Sequence, residues 1–448
     1  MIIRSKSLAC WALVALLGAP SGIAAQTTNS PQKKSHRIED SDAIALNNLL
    51  AAARAAMDKK DYAAAAQNYQ DYLAKKPDDA NIHFQLGYAY TALQRPADAK
   101  VEYKRAIDLD PDDPKMAAAY QNLGLTLIPT DPAAAIEPLQ HAAALMPEDA
   151  RTKWLLGVAF EASGKDALAL EQYEASKKLD DKNPDIRNSL GFVLLRSGRI
   201  AEAETQFRES LAVHPTGGPG AESHKGLAQV LIAEKKPELA VPELRAYLEI
   251  QPKDSSVRVE LASLFASLGR NDEALTELER AGTTGNENLR ALKIRARIYF
   301  QTKRYDDAVT TLEKATTLAP QDADIPAQLG HVCLEKKDYP KAVRVLTAAW
   351  KMSPGDNDIL GDLIAAEYLN KNYPAALQGL DVLSKRKTLP LGTLFIRATC
   401  YDKLGQVAQA LEAYQQFLSL NKDETSDMYF EAAARARFLA RELKEKKR

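Results

Sequence analysis

The sequence predicts an all-α protein, an open stack of about eleven helix-turn-helix repeats with a capping helix at the C-terminal end. Three observations carry this prediction. Alanine recurs at 65, 99, 135, 169, 203, 240, 274, 308, 342, 376 and 410, at steps of 34 residues apart from one of 36 and one of 37. Four residues after each alanine stands a bulky apolar residue, from Tyr69 and Tyr103 to Leu380 and Tyr414. A small residue precedes the alanine by twelve positions (by eleven in repeat 3) in ten of the eleven units, for example Gly87, Gly124, Gly157, Gly191 and Gly330. The chain holds 74 alanines in 448 residues, about one in six, so eleven hits in one frame are not chance.

Composition bounds the alternatives. Lys+Arg 59 against Asp+Glu 60 leaves a net charge of −1, which argues against a nucleic-acid binder working by bulk electrostatics. Hydrophobic content of 46% with 27% charged residues is globular rather than disordered. Three cysteines exclude a disulfide scaffold, and the length exceeds what one compact core serves.

Residues 1–25 read as a secretory signal peptide. Arg4 and Lys6 give a positive start, Leu8 to Gly18 an apolar run too short to span a bilayer comfortably, and Ile23-Ala24-Ala25 a cleavage site before Gln26. The competing reading is an uncleaved membrane anchor. Cys10 lies inside the apolar run rather than after it, against lipidation. No other segment has transmembrane length, so the mature chain is expected in the periplasm or cell envelope with no integral span. Residues 26–45 are polar and read as a flexible linker.

Repeats 1–5 occupy 46–216. Asn81 to Leu93 and Pro96 to Leu109 set the pattern, with Phe84, Leu86, Gly87 and Tyr90 on the first helix and Ala99, Tyr103, Ala106 and Ile107 on the second. Gly or Lys-Asp pairs (Gly164, Gly198, Lys337-Asp338) mark the turns, and Pro-Asp clusters end one unit and cap the next. Small residues let the paired helices approach, and bulky ones fill the groove between units. A lone unit cannot bury its apolar face, so units must stack. After repeat 2, Asp113 to Met116 adds residues, and repeat 3, with Pro129, Asp131 and Pro132, has a turn one residue shorter. Gly217-Gly218-Pro219-Gly220 (217–220) reads as an insertion that interrupts the stack, a candidate hinge. Repeats 6–11 follow over 221–424. In repeat 10, Ile364 stands where a small residue belongs, and sliding the first helix by one would place Ala365 and Tyr368 in frame, with a shortened turn near Asn370. Residues 425–448 predict the capping helix, with Tyr429, Ala432, Ala436 and Leu439 inward and Arg435, Arg437, Arg441 and Lys444 outward. Cys333 and Cys400 fall two repeats apart, beyond the ~7 Å reach of a disulfide, and are expected as buried free thiols.

The pattern resembles the tetratricopeptide repeat (TPR). Leu86-Gly87, Tyr90, Ala99, Tyr103, Ala106 and Pro111 all fall at family positions. The resemblance implies a right-handed superhelical solenoid whose first helices line the concave face. Some family members grip a C-terminal carboxylate through a Lys and Asn pair. Here Lys225, Gln229 and Glu260 do not reproduce that clamp.

Chemistry is sparse. The histidines at 36, 83, 141, 214, 224 and 331 have no metal-ligand spacing. There is no H-E-x-x-H, no C-x-x-C and no phosphate loop after Gly220. Asp110, Asp112 and Asp113 read as a turn and helix cap rather than a calcium site. No cofactor, metal or catalytic residue is assigned. At the second, fifth and ninth positions of the first helices stand Phe84, Tyr88, Trp154 and Phe192, and in repeat 8 Arg290, Lys293 and Arg297. The rings either anchor a peptide or helix, or are covered by curvature. The basic row either takes an acidic ligand, or is a solvated row partly paired with Asp324. The expected function is a non-catalytic scaffold that holds a protein or peptide in its groove. The alternative is an accessory protein for polysaccharide assembly or secretion, with glycan as partner.

Overall fold

In the computed structural model the described residues are 36–282 and 288–445. They are helical throughout and contain no strand. Six pairs come first: α1 (His36–Asp58) with α2 (Tyr62–Leu73), α3 (Ala80–Ala92) with α4 (Pro96–Leu109), α5 (Ala117–Leu127) with α6 (Pro132–Leu145), α7 (Ala150–Ala162) with α8 (Asp166–Leu179), α9 (Pro184–Arg196) with α10 (Ile200–Val213), and α11 (Gly217–Ala233) with α12 (Pro237–Ile250). Five more follow: α13 (Ser255–Ser267) with α14 (Asn271–Arg280), α15 (Leu289–Gln301) with α16 (Tyr305–Leu318), α17 (Asp324–Glu335) with α18 (Tyr339–Met352), α19 (Asn357–Leu369) with α20 (Tyr373–Ser384), and α21 (Leu391–Lys403) with α22 (Val407–Leu420). The last helix is α23 (Asp427–Glu445). Tertiary contacts divide the chain into two compact units after Ile250, six pairs in the first and five with α23 in the second. Within each unit the helices pack as the solenoid of the sequence expectation.

All eleven frame alanines are 0% exposed, and the bulky residues four positions on are buried with them. The small residues show why the frame holds. A Cβ added at Gly157 would come within 2.5 Å of the Tyr173 ring, and one at Gly191 within 2.8 Å of the Phe207 ring. Each such glycine lets the second helix of its own pair seat a large side chain against the backbone of the first.

The turns follow one plan. Ten of the eleven place a residue with positive φ five positions before the alanine: four are glycines (164, 198, 269, 405), five are lysines (60, 235, 303, 337, 371) and one is Gln94. The next backbone N–H reaches back to the first helix, as from Arg95 to Tyr90 O at 2.9 Å and Arg304 to Tyr299 O at 2.7 Å. Repeat 3 has no such residue, in keeping with its shorter turn. In several turns an arginine then lies over an aromatic ring of the first helix and pairs with an acid three residues on. Examples are Arg95 over Tyr90 with Asp98, and Arg304 over Tyr299 with Asp307. Asp79, Asp149, Asp254 and Asp356 cap the first helices they precede.

Junctions between repeats carry a recurring polar fastening. Four residues into the first helix, His83, Arg187 and Arg258 hold both their own second helix and the preceding linker. His83 meets Glu102 Oε2 (2.6 Å) and Pro77 O (2.8 Å). Arg258 donates to Glu277 Oε2 and Pro252 O, both at 2.9 Å. Arg187 donates to Asp181 O at 2.8 Å and pairs with Glu209. His224 meets Glu243 in the same way.

Several expectations meet the structure differently. Residues 1–35 lie outside the described residues, and with them the expected signal segment and the first half of the linker; the second half, 36–45, is helical rather than a flexible tether. Helix α1 starts at His36, ahead of Leu46, because no proline or glycine interrupts the chain from there to Asp58. Gly217 to Gly220 form the first turn of α11. Asn188 Nδ2 donates to Pro219 O at 2.9 Å, and Ser223 Oγ lies 2.6 Å from Asn188 Oδ1 and 2.8 Å from Ser210 Oγ, all three side chains buried. Repeat 10 keeps its frame: Lys371 has positive φ at the usual place, so the turn is not shortened. Ile364 stays in the small-residue position, 1% exposed, because Gly379 on α20 withdraws its side chain (a Cβ there would stand 2.6 Å from Ile364). Arg435, expected outward, turns in to Asp402. Cys333 and Cys400 are free and buried, and burial raises the Cys333 thiol and pushes that of Cys400 up to about 12.

Candidate functional site

In the first unit, from α3 onward, first helices of successive pairs lie side by side, and in the second unit α13 does so with α15 and α17 with α19, while neighbouring second helices nowhere approach as closely. The first helices therefore form the inner wall, and residues facing away from both partners are what a bound molecule would meet.

In the first unit this wall carries three half-buried rings. Phe84 leans on Tyr103, ring centres 6.0 Å apart. Tyr88 lies one turn further along α3, and burial raises its hydroxyl pKa. Trp154 on α7 spans to the next repeat, Nε1 donating to Ser189 Oγ at 2.9 Å. That bond anchors the indole edge, and the side chain stays half-buried. Phe192 is placed differently: it is 6% exposed and stands edge-on to Phe207 at 4.9 Å, inside the core. Beside the rings, Gln121 Nε2 donates to Thr152 Oγ1 (2.7 Å) and Asp149 Oδ2 (3.0 Å), tying α5 to α7.

In the second unit Arg290 and Arg297 are exposed on α15, and Lys293 between them is half-buried. Lys293 Nζ donates to Asp322 Oδ2 at 2.8 Å. The acid is thus Asp322, in the linker, rather than Asp324, whose own backbone N–H is capped by Asp322. Further along the wall, the Phe300 ring lies 5.4 Å from that of His331, and His331 Nδ1 is 3.3 Å from Asp362 Oδ2. The hydrogen bond to Asp362 outweighs partial burial and raises the His331 pKa. Open space surrounds Gly361 and Gly392 on the next two first helices. The wall therefore runs from a basic row in repeat 8 to Asp324, Asp358 and Asp362, with small residues beyond. His331 was within reach of sequence reasoning, since it stands eleven residues before Ala342 as Tyr88 does before Ala99.

Among the described residues no group of three or more His, Cys, Asp or Glu is placed to hold a metal ion, and no helix is long and apolar enough to cross a membrane. The arrangement offers aromatic faces, paired charges and open notches, which suit binding of an extended or helical chain.

Models of the family described as tetratricopeptide repeat match residues 56–123, 130–184, 190–255, 259–323 and 393–423. A curated relative, DnaJ homolog subfamily C member 3 of Rattus norvegicus, is 24% identical over 238 residues, 50% of this chain and 40% of that protein. The match thus spans well under half of the relative's length. Among solved structures, a tetratricopeptide repeat protein from Parabacteroides merdae is 16% identical over 56% of this chain and 98% of its own, with a TM-score of 0.45. Yeast Tom70 is 14% identical over 90% of this chain and 97% of its own, with a TM-score of 0.36.

Proposed function

Because the chain belongs to the tetratricopeptide-repeat family, we propose that it is a protein-binding scaffold of the cell envelope that holds a peptide or protein segment along its first-helix wall. The observation that carries this reading is the set of half-buried rings Phe84, Tyr88 and Trp154 on first helices of the first unit, Phe84 leaning on Tyr103 and Trp154 tied to Ser189. Packing of the pairs alone does not call for large aromatic faces there, whereas an anchoring strip for apolar side chains does. On the second unit, the exposed Arg290 and Arg297 supply a contact for acidic residues. The envelope assignment rests on the signal-like residues 1–25.

Titration of the purified chain with peptides captured from envelope extract tests this. Replacing Phe84, Tyr88 and Trp154 by alanine should weaken capture by about 100-fold, roughly 3 kcal/mol. Arg290→Glu with Arg297→Glu should abolish selection for acidic segments. Unchanged capture in both variants rejects the reading. Half-buried aromatic rings also suit sugar stacking, so soluble glycans are titrated in parallel. Glycan binding without peptide capture would favour a role in polysaccharide assembly or secretion.

A further inference from the structure

The wall of the first unit holds one amide among apolar side chains. Counted from the frame glycines Gly87, Gly124 and Gly157, the residues three before are Phe84, Gln121 and Trp154, and those one after are Tyr88, Leu125 and Val158. All six are half-buried. Gln121 thus stands on α5 between the rings of α3 and α7, where an apolar side chain would complete the strip.

Its amide is tied by the nitrogen alone. Nε2 donates to Asp149 Oδ2 (3.0 Å) and to Thr152 Oγ1 (2.7 Å). Asp149, the cap of α7, also accepts the Thr152 backbone N–H (2.8 Å) and hydroxyl (2.5 Å) at that oxygen. The carboxylate only accepts, and the hydroxyl spends its proton on it, so both require the amide nitrogen on their side. Thr152 is fully buried, so the anchor lies beneath the wall rather than on it. Oε1 is left on the other side of the amide. It accepts no hydrogen bond among the described residues, and it is not buried.

A chain that spans both rings crosses that oxygen. Covering it without a donor costs about ten- to a hundredfold in affinity. Beyond its first turn, a helix spends every backbone N–H on the carbonyl four residues back, so it offers Gln121 no backbone donor. An extended segment keeps its N–H groups free. Neighbouring first helices lie roughly 8–10 Å apart, which sets Phe84 and Trp154 about six residues of extended chain from each other. Side chains of such a chain alternate, so residues i and i+6 face the wall together. Each then meets a ring, and Gln121 lies level with the backbone between them.

We propose that Gln121 sets the specificity of this wall: Oε1 accepts a backbone N–H of the bound segment, and the first unit takes extended chains in preference to helices. This selectivity presupposes the peptide-binding reading above and adds to it the ligand's conformation.

Fluorescence anisotropy of the full chain with two labelled probes tests it. One is a nine-residue peptide of alternating lysine and leucine, leucine at the even positions, with each backbone nitrogen N-methylated in turn. The other is a hydrocarbon-stapled helix with leucines along one face. The extended peptide should bind, and N-methylation at one central position should weaken it about tenfold or more, with little effect near the ends. The stapled helix should bind at least about tenfold more weakly. In Gln121→Met the penalty for N-methylation should vanish and the helix should gain about tenfold. Asp149 keeps both Thr152 partners in that variant, so its thermal unfolding should stay close to wild type. Failure of the extended peptide to bind, a flat N-methyl scan, the same scan in Gln121→Met, or a helix bound as tightly as the extended chain each overturns the proposal. None of these results touches the scaffold reading, which stands or falls with capture of envelope peptides by the ring variant.

Discussion

At the scale of single residues, the core is a set of exchanges between small and large side chains, and repeat 10 shows that the exchange can run in reverse. Ile364 fills the place that glycine or alanine takes elsewhere, and Gly379 withdraws to admit it. Gly379→Ala should therefore destabilise the second unit by about 1–3 kcal/mol through overpacking, against a helix-propensity gain of about 1 kcal/mol. Combined with Ile364→Ala the loss should fall short of the sum, with a coupling of at least about 1 kcal/mol in urea unfolding. Strict additivity would mean the two do not compensate each other. His83 gives a second prediction. Burial of the ring lowers its pKa, but the hydrogen bonds to Glu102 and the Pro77 carbonyl outweigh this and the folded value is raised. Both partners accept, so only the imidazolium satisfies both nitrogens. Its folded pKa lies above the unfolded value of about 6.5, so the stabilisation is complete below that pH and is lost as pH rises through the folded value. Thermal unfolding should show a loss between acidic and alkaline buffer that shrinks in His83→Gln. An equal loss in the variant would assign the pH dependence to other groups. The frame alanines and their large partners were legible in sequence because each exchange repeats at fixed spacing. Ile364 was not, because its compensation lies fifteen residues away on another helix and breaks the spacing rule instead of following it.

At the scale of elements, helix ends carry as much information as helix faces. Five turns force lysine into a backbone conformation that costs a side-chain-bearing residue about 1–2 kcal/mol, where four others use glycine. Lys303→Gly, Lys337→Gly and Lys371→Gly should each stabilise by about 0.5–1 kcal/mol, part of the relief being offset by the greater freedom of glycine in the unfolded chain. The sites are a repeat apart, so the three gains should add, read as a rising urea midpoint of the second unit. A fall in midpoint would show that the lysine side chains contribute contacts outweighing the strain. Sequence spacing located these turns but not the wall beside them. Phe84, Trp154 and Phe192 share a helix face by count, yet Phe192 is buried because Phe207 of its own pair turns edge-on to it. Arg435 looked as free as Arg437 until Asp402 of the preceding pair lay within reach. Such differences depend on side chains from neighbouring elements, which a helical count does not see.

At the scale of the whole molecule, the chain divides after Ile250 into two compact units, with one apolar cluster lying in the first and two in the second. Repeat arrays unfold through nearest-neighbour interfaces, so each unit should lose structure on its own account. Trp154 reports the first and Trp350 the second. With Trp11 also replaced, Trp350→Phe and Trp154→Phe chains should give fluorescence transitions with different urea midpoints. Coincident midpoints would mean one cooperative block. The same repetition bears on how such a chain changes length over generations. Every frame alanine sits in an equivalent, fully enclosed environment. An excision or duplication running from one of them to the next, such as 309–342, keeps the recurring frame in register. Recombination can thus extend or trim the inner wall by 34 residues at a stroke, altering the size of cargo it accommodates while the enclosed alanines stay at their spacing.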